Sequence, residues 1–303
     1  FIDTGKLELL EKERNNPKYL FVNVYGIGPK KAEELVDKDG IQTIKELRGR
    51  QELLNDKQKV GLKYYEDILE RIPRQEIDAF KIALTNSFSK VATGEDTFEI
   101  VGSFRRGNEH SGDIDIIVSN GINDNSILER FIGQLQKDGI LLELLSKGKI
   151  KSLTIGRLDT DSIPRRIDFM FSPPNEFAFA TLYFTGSKSF NVVQRRMANE
   201  QGYTLNEHGL YKFTDKKKGD LVKETLSTEE DIFTFLNMIY KEPTERINGK
   251  AAILKAGFIT ENKEPQKVIH IKRKKNVKIT ITLGPEELNG YWKRLELEGI
   301  SVL

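Results

Sequence analysis

The sequence predicts an α+β protein built from several modules, and three observations carry that reading. Residues 1–90 repeat apolar side chains at helical spacing, residues 97–171 break into short β-branched runs, and helical patterns return from about 174. At 303 residues, 38% apolar and 31% charged, the chain is long enough for two or more cores. A net charge of +2 excludes a polycation, so any nucleic-acid footprint must come from local clusters. The absence of cysteine excludes disulfides, thiolate metal sites and a thiol nucleophile, and three histidines leave little room for a His-rich metal centre. No apolar run reaches membrane-spanning length. A chain that starts at Phe1 and not at Met is expected to be a fragment or a processed product.

Each element follows from local chemistry. "NVYGIGPKKAEELV" reads as a glycine turn and a short amphipathic helix, with Ala32, Leu35 and Val36 on one face and Pro29 at the first helical position. After Pro73, a long helix is expected from Ile77, Phe80, Leu84, Phe88 and Val91. "TFEIVGSF", "DIDIIV", "KSLTIGRL" and "RRIDFMF" read as strands, with one helix over 123–137 between them. Residues 172–202 read as helix, turn, helix. "STEEDIFTFLNMIY" reads as a helix capped by Ser227, with Glu230 completing a capping box. Residues 268–283 read as a hairpin with a basic turn (Lys272, Arg273, Lys274, Lys275), and a helix is expected over 285–297.

The stretch that points to chemistry is "VGSFRRGNEHSGDIDIIV", residues 101–118. Residues two apart on a strand share a face, so Asp113 and Asp115 project together while Ile114 and Ile116 face a core. In "RRIDFMF", Arg166 and Asp168 share one face. If the two strands are neighbours, three carboxylates converge, an arrangement suited to divalent metal ions held by oxygen ligands. Without a cation the three would repel one another and shift their pKa values. Solvated acids on the outer face of a half-exposed sheet would show the same alternation. The preceding loop favours the site, because Ser103, Arg105, Arg106, Ser111 and Gly112 bring hydroxyls, guanidinium and close backbone approach, the partners of a metal-bridged triphosphate.

These residues resemble the signature of the X-family DNA polymerases, the group of DNA polymerase beta. The resemblance runs in order through "YGIGPKKAEELV", "GLKYYEDILERIPRQEI", "RRIDFMF", "LYFTGSKSFN", "GYTLNEHGLY" and "EEDIFTFLNMIYKEPTER". It implies a helix-hairpin-helix DNA-binding module at 18–78 and a nucleotidyltransferase palm with a mixed sheet at 79–173. A small α/β nucleotide-selecting subdomain would follow at 174–246. Residues 1–17 would be the tail of a lyase-like domain whose reactive lysine lies upstream, which leaves Lys6 and Lys12 as surface residues. Residues 247–303 are an unrecognised extension.

By this resemblance Asp113, Asp115 and Asp168 bind two Mg2+ ions, for which Mn2+ can substitute, and Arg166 orients Asp168. Gly102, Ser103, Arg106, Ser111, Gly112 and Arg71 hold the incoming deoxynucleoside triphosphate. Tyr183, Phe184 and Gly186 pack against its sugar and base, with Asn191 and Arg195 on the minor-groove side and Lys188 near the base. Backbone groups at Gly26 and Gly28 meet a DNA phosphate, and the carbonyls of Val22, Val24 and Ile27 hold Na+ or K+. The implied protein is a monomeric intracellular repair polymerase acting on gapped or nicked DNA, without a membrane. A template-independent terminal transferase and a non-catalytic DNA-binding scaffold are the alternatives.

Overall fold

The computed structural model describes residues 16–214 and 217–255, and the backbone of two further strands. The first module is helical: α1 (Pro17–Val22), α2 (Pro29–Glu33), α3 (Ile44–Gly49), α4 (Asp56–Lys63) and α5 (Tyr65–Leu69). Pro29 opens α2, as its missing N–H allows. α2 then widens into a π turn over Glu34–Lys38. Ala32 and Leu35 are buried with Phe21, Val24, Ile27, Leu47 and Leu62 in a core of their own.

The central module begins with a two-residue strand, β1 (Ile72–Pro73), and a long helix, α6 (Arg74–Ser89). Ile77, Phe80, Leu84 and Phe88 form the buried stripe of α6, and Val91 packs against the same core just past the helix end. β2 (Thr97–Ile100) stops short of the glycine, and Gly102–Arg105 forms a short helix, α7, where a continuous strand was expected. β3 (His110–Ser111), β4 (Ile114–Ser119) and α8 (Ser126–Lys137) follow. β5 (Leu141–Lys147), β6 (Lys151–Gly156) and β7 (Arg165–Phe171) complete a five-stranded sheet in the order β2-β4-β7-β6-β5.

Within that sheet β4 and β7 pair in parallel, and the other neighbours are antiparallel. A parallel pair needs a crossover, which α8, β5 and β6 supply. β7 alternates buried and half-buried residues along its whole length. Ile167, Phe169 and Phe171 enter one core with Ile114, Ile116 and Val118 of β4 and the apolar stripes of α6 and α8. Asp168 and Met170 are left on the opposite face.

The third module holds α9 (Phe177–Thr185), α10 (Lys188–Glu200), a three-stranded antiparallel sheet and α11 (Glu229–Phe235). Its strands are β8 (Tyr203–Asn206), β9 (Gly209–Thr214) and β10 (Lys217–Leu221). The cap of α11 is Thr228 with Asp231, one residue later than the expected Ser227 and Glu230. Residues up to Lys255, expected to open an extension, pack on this module: Ala252 lies in its core and Leu254 bridges Met238. β11 (Ile269–Lys272) and β12 (Lys278–Ile281) form the expected antiparallel hairpin. Of its expected basic turn, Lys272 ends β11, while residues 273–275 and the expected helix over 285–297 lie outside the described residues, as does the segment 1–15. Among the described residues no helix is long and apolar enough to cross a membrane.

Candidate active site

The parallel register sets Asp115 directly beside Asp168. Asp113, at the bend just before β4, brings a third carboxylate, and one oxygen from each of the three lies within 4.8 Å of the others. Arg166 contacts Asp113 through its guanidinium, and its Nε lies 3.4 Å from Asp168 Oδ1. That second contact lacks hydrogen-bond geometry, so both Arg166 Nε and Asp168 Oδ1 are buried without a hydrogen-bond partner.

Electrostatics mark the acids as incomplete. Burial and then the charge of Asp168 push Asp115 up to about 6, against the pull of Lys151 and Arg106. Burial also raises Asp168, although Arg166 and Lys151 oppose it. A cluster that disfavours its own negative charge, with an unpartnered carboxylate oxygen, fits a divalent cation bound by oxygen. The residues present therefore match the metal site expected of them.

Above the acids opens a cavity of about 590 Å³. On one side it is lined by Gly102, Ser103, Arg106, Gly112 and Arg71, and on the other by Tyr183, Phe184 and Gly186 with Lys188, Asn191 and Arg195 of α10. Asp113 and Asp115 reach its floor, while Asp168 lines a small cleft beside it with Lys151 and Phe184. Gly102 has φ +62, and a Cβ there would come 2.3 Å from Asp115 Oδ2. Only glycine meets both demands, which is why the loop can turn against the acid. Ser111 is buried behind the cavity wall, where its hydroxyl accepts from Ser103 Oγ at 2.8 Å. Arg71 donates to the His110 carbonyl at 2.9 Å, which holds it at the cavity edge. Asn191 donates to the Tyr183 carbonyl at 2.6 Å and leaves its own Oδ1 buried and unpartnered. The guanidinium of Arg195 lies 5.9 Å from the Tyr183 ring centre.

Two of the three adjacent-arginine pairs, 105–106 and 165–166, divide their labour. Arg106 lines the cavity and donates to the Thr185 carbonyl, and burial lowers its pKa against the charge of Asp115. Arg105, expected in the same site, turns away. It donates to both oxygens of Glu229, at 3.1 and 2.8 Å, and to Thr185 Oγ1 at 2.9 Å. Fully buried Arg246 donates to the same Glu229 at 2.6 Å. Burial opposes the charge of Glu229, and the two arginines outweigh it, so its pKa lies below the usual range. Similarly, Arg166 stays at the acids while Arg165 is buried in a two-pronged pair with Glu76 of α6.

Gly26, Gly28, Val22, Val24 and Ile27 lie in the helical module, away from this cavity. Gly28 caps α2, the Gly26 carbonyl accepts from Gln58 Nε2 at 3.0 Å, and the Val24 carbonyl accepts from Ile27 N–H at 3.0 Å. Sequence reasoning missed Asn108 and Val192, which line the cavity, and Lys151, whose charge acts on two of the acids. Asn108 sits in the quoted loop. Lys151 becomes visible only once β6 is paired with β7, which sets it on the acid face.

Comparison with known proteins agrees with this geometry. The fingers domain of DNA polymerase lambda matches residues 19–69, the DNA polymerase beta palm 71–174, and the DNA polymerase beta thumb 180–247. DNA polymerase lambda of Arabidopsis thaliana is 33% identical over 81% of this chain and 50% of its own length. DNA polymerase lambda of Rattus norvegicus is 32% identical over 75% of this chain and 41% of its own. The human DNA-directed DNA/RNA polymerase mu is 27% identical over 81% and 56%. The chain thus spans about half the length of the curated relatives it matches. Three successive domain matches, relatives of one kind, and an acid triad on a palm-type mixed sheet place the chain in the X family of DNA polymerases.

Proposed function

We propose that the chain is a DNA-directed DNA polymerase that adds deoxynucleotides to a primer 3′-hydroxyl, filling gaps or acting at nicks during DNA repair. The observation that carries this reading is the convergence of Asp113, Asp115 and Asp168 beneath a cavity with a cationic, hydroxyl-bearing wall and an aromatic wall. Two Mg2+ ions, or Mn2+, held by these acids would acidify the 3′-hydroxyl and neutralise charge on the triphosphate. Arg71, Arg106, Ser103 and the Gly102 and Gly112 backbone hold the triphosphate in line with the attacking hydroxyl. Asp168, made more basic by burial and with the charge of Arg166 beside it at 3.4 Å, takes the 3′-hydroxyl proton. The new bond joins the 3′-oxygen to the α-phosphorus, and the bond to the bridging oxygen breaks as pyrophosphate leaves.

Tyr183, Phe184 and Gly186 meet the sugar and base, and a 2′-hydroxyl would crowd this turn. Deoxynucleotides are therefore favoured over ribonucleotides, although the name of the human relative covers RNA synthesis as well. Comparable incorporation of the two sugars would remove the gate from this account. Asn191 and Arg195, one helical turn apart on the cavity side of α10, sense the nascent pair and its template, and Lys188 lies near the base. The Gly26–Gly28 turn binds a DNA phosphate, with Na+ or K+ on the carbonyls of Val22, Val24 and Ile27. The protein works as a monomer, inside the cell where DNA is. The terminal-transferase alternative needs the template's path filled, and the short connection 157–164, closed by Asp159 accepting from Asp161 and Ser162 N–H, supports templated synthesis. A non-catalytic scaffold has no use for half-buried acids that repel one another. The test is single-nucleotide extension on gapped DNA against a single-stranded primer. Efficient filling of the gap alone is expected, and equal extension of both would favour the terminal transferase.

A further inference from the structure

The similarity to known thumb domains ends at residue 247, yet the chain continues into the same core. We propose that residues 248–254 are a positioning element for nucleotide selection, holding α10 in place through the contact of Gly249 with Val193. The proposal rests on the polymerase reading above.

The segment grips at several points. Asn248 caps a 3-10 turn over Gly249–Ala251, accepting from Lys250 N–H at 2.9 Å. Ala252 is buried in the core of the third module. The Ile253 carbonyl accepts from Ile239 N–H and Lys255 N–H donates to Asn237, both at 2.8 Å, which pins the strand-like end. Just upstream, the Arg246 carbonyl accepts from the N–H of Ser187, the N-cap of α10, at 3.2 Å.

Gly249 makes the closest approach. A Cβ built there would lie 2.6 Å from Val193 Cγ2 and 3.2 Å from the Ser189 carbonyl oxygen. Its backbone is not among the positive-φ glycines, so what it requires is space and not conformational freedom. Val193 is β-branched and stiff at χ1, so its methyl cannot swing aside cheaply. Lys188, Asn191 and Arg195 line the cavity from the same helix. A side chain at 249 must therefore either shift α10 relative to the nucleotide or detach the segment.

The experiment measures gap filling by the full chain, reading KM and kcat for the correct and a mismatched nucleotide. Gly249→Ala is expected to raise KM for the correct nucleotide roughly tenfold and to weaken discrimination, with kcat changed by less than about twofold. Val193→Ala removes the methyl that the new Cβ would strike. The double variant is expected to recover wild-type KM, whereas a purely structural role would lower stability and the fraction of active protein in Gly249→Ala and leave KM and discrimination unchanged. Asn248→Ala, at an exposed cap, is a second probe that does not depend on tolerance of the clash, and is expected to raise KM about threefold. Normal KM and discrimination in both folded single variants, or no recovery in the double variant, would overturn the proposal. An inactive wild type on gapped DNA would instead remove the polymerase reading, and this inference with it.

Discussion

Asp115 and Gly102 meet at a contact that leaves no room for a side chain on the glycine, and the burial of the acid raises its pKa. In the metal-free protein Asp115 holds its proton up to about pH 6, against 3.8 for the ordinary group. The folded state binds more protons than the unfolded chain between these values. Its stability therefore falls as pH rises through that window, and this group adds no further change above it. A divalent cation competes with that proton, so its affinity weakens below pH 6. Asp115→Asn removes the cost of the buried charge. In chelator at pH 7.5 it should be more stable than wild type, by on the order of 1–3 kcal/mol, while losing activity. Thermal denaturation checks this: Mg2+ should raise the Tm of the wild type and leave the variant unmoved. A variant less stable than wild type in chelator would mean that the acid carries no such penalty.

Element by element, the sequence was clearest where one face is buried. The period-two alternation of "DIDIIV" and "RRIDFMF" placed the acids correctly because every second residue enters the core shared with α6 and α8. β5 was not legible: "LLELLSK" does not alternate, since its pairing with β6 shifts register twice. α7 was hidden because the turn at Gly102 depends on Asp115, which lies on a different element. The cap of α11 was ambiguous in principle. Both Ser227 with Glu230 and Thr228 with Asp231 satisfy the spacing, and the structure selects the second. Thr228→Ala should cost about 1 kcal/mol, while Ser227→Ala should stay within about 0.5 kcal/mol of wild type. Urea denaturation of the two variants reverses this assignment if the losses are the other way round.

On the scale of the whole molecule, the three larger cores of the described residues are joined by two small apolar clusters, Tyr64 with Leu145 and Ile155 and Val101 and Ile117 with Ala180, and by polar contacts between residues distant in sequence. Lys63 of α4 pairs with Glu143 of β5 at 3.0 Å, across the first joint. Arg105, Glu229 and Arg246 tie the palm to the third module, and Thr185 accepts from both Arg105 and Arg106. For the pairs 105–106 and 165–166 the sequence does not show which member turns away from the acids, because Glu229 lies 124 residues from Arg105 and Glu76 lies 89 from Arg165. Glu229→Ala would leave two arginines without their shared partner, one of them fully buried, and should cost about 3–5 kcal/mol in denaturant unfolding. A loss under about 1 kcal/mol would mean that the joint holds without it. The central claim is that the three acids beneath the cavity carry out nucleotidyl transfer, and Asp168 tests it most directly because the proposed mechanism gives it the 3′-hydroxyl proton. The measurement is single-nucleotide insertion by Asp168→Ala on one-nucleotide-gapped DNA, alongside its affinity for that DNA. Insertion is expected to fall by about a thousandfold or more while affinity changes less than about threefold, and near-normal turnover would contradict the account.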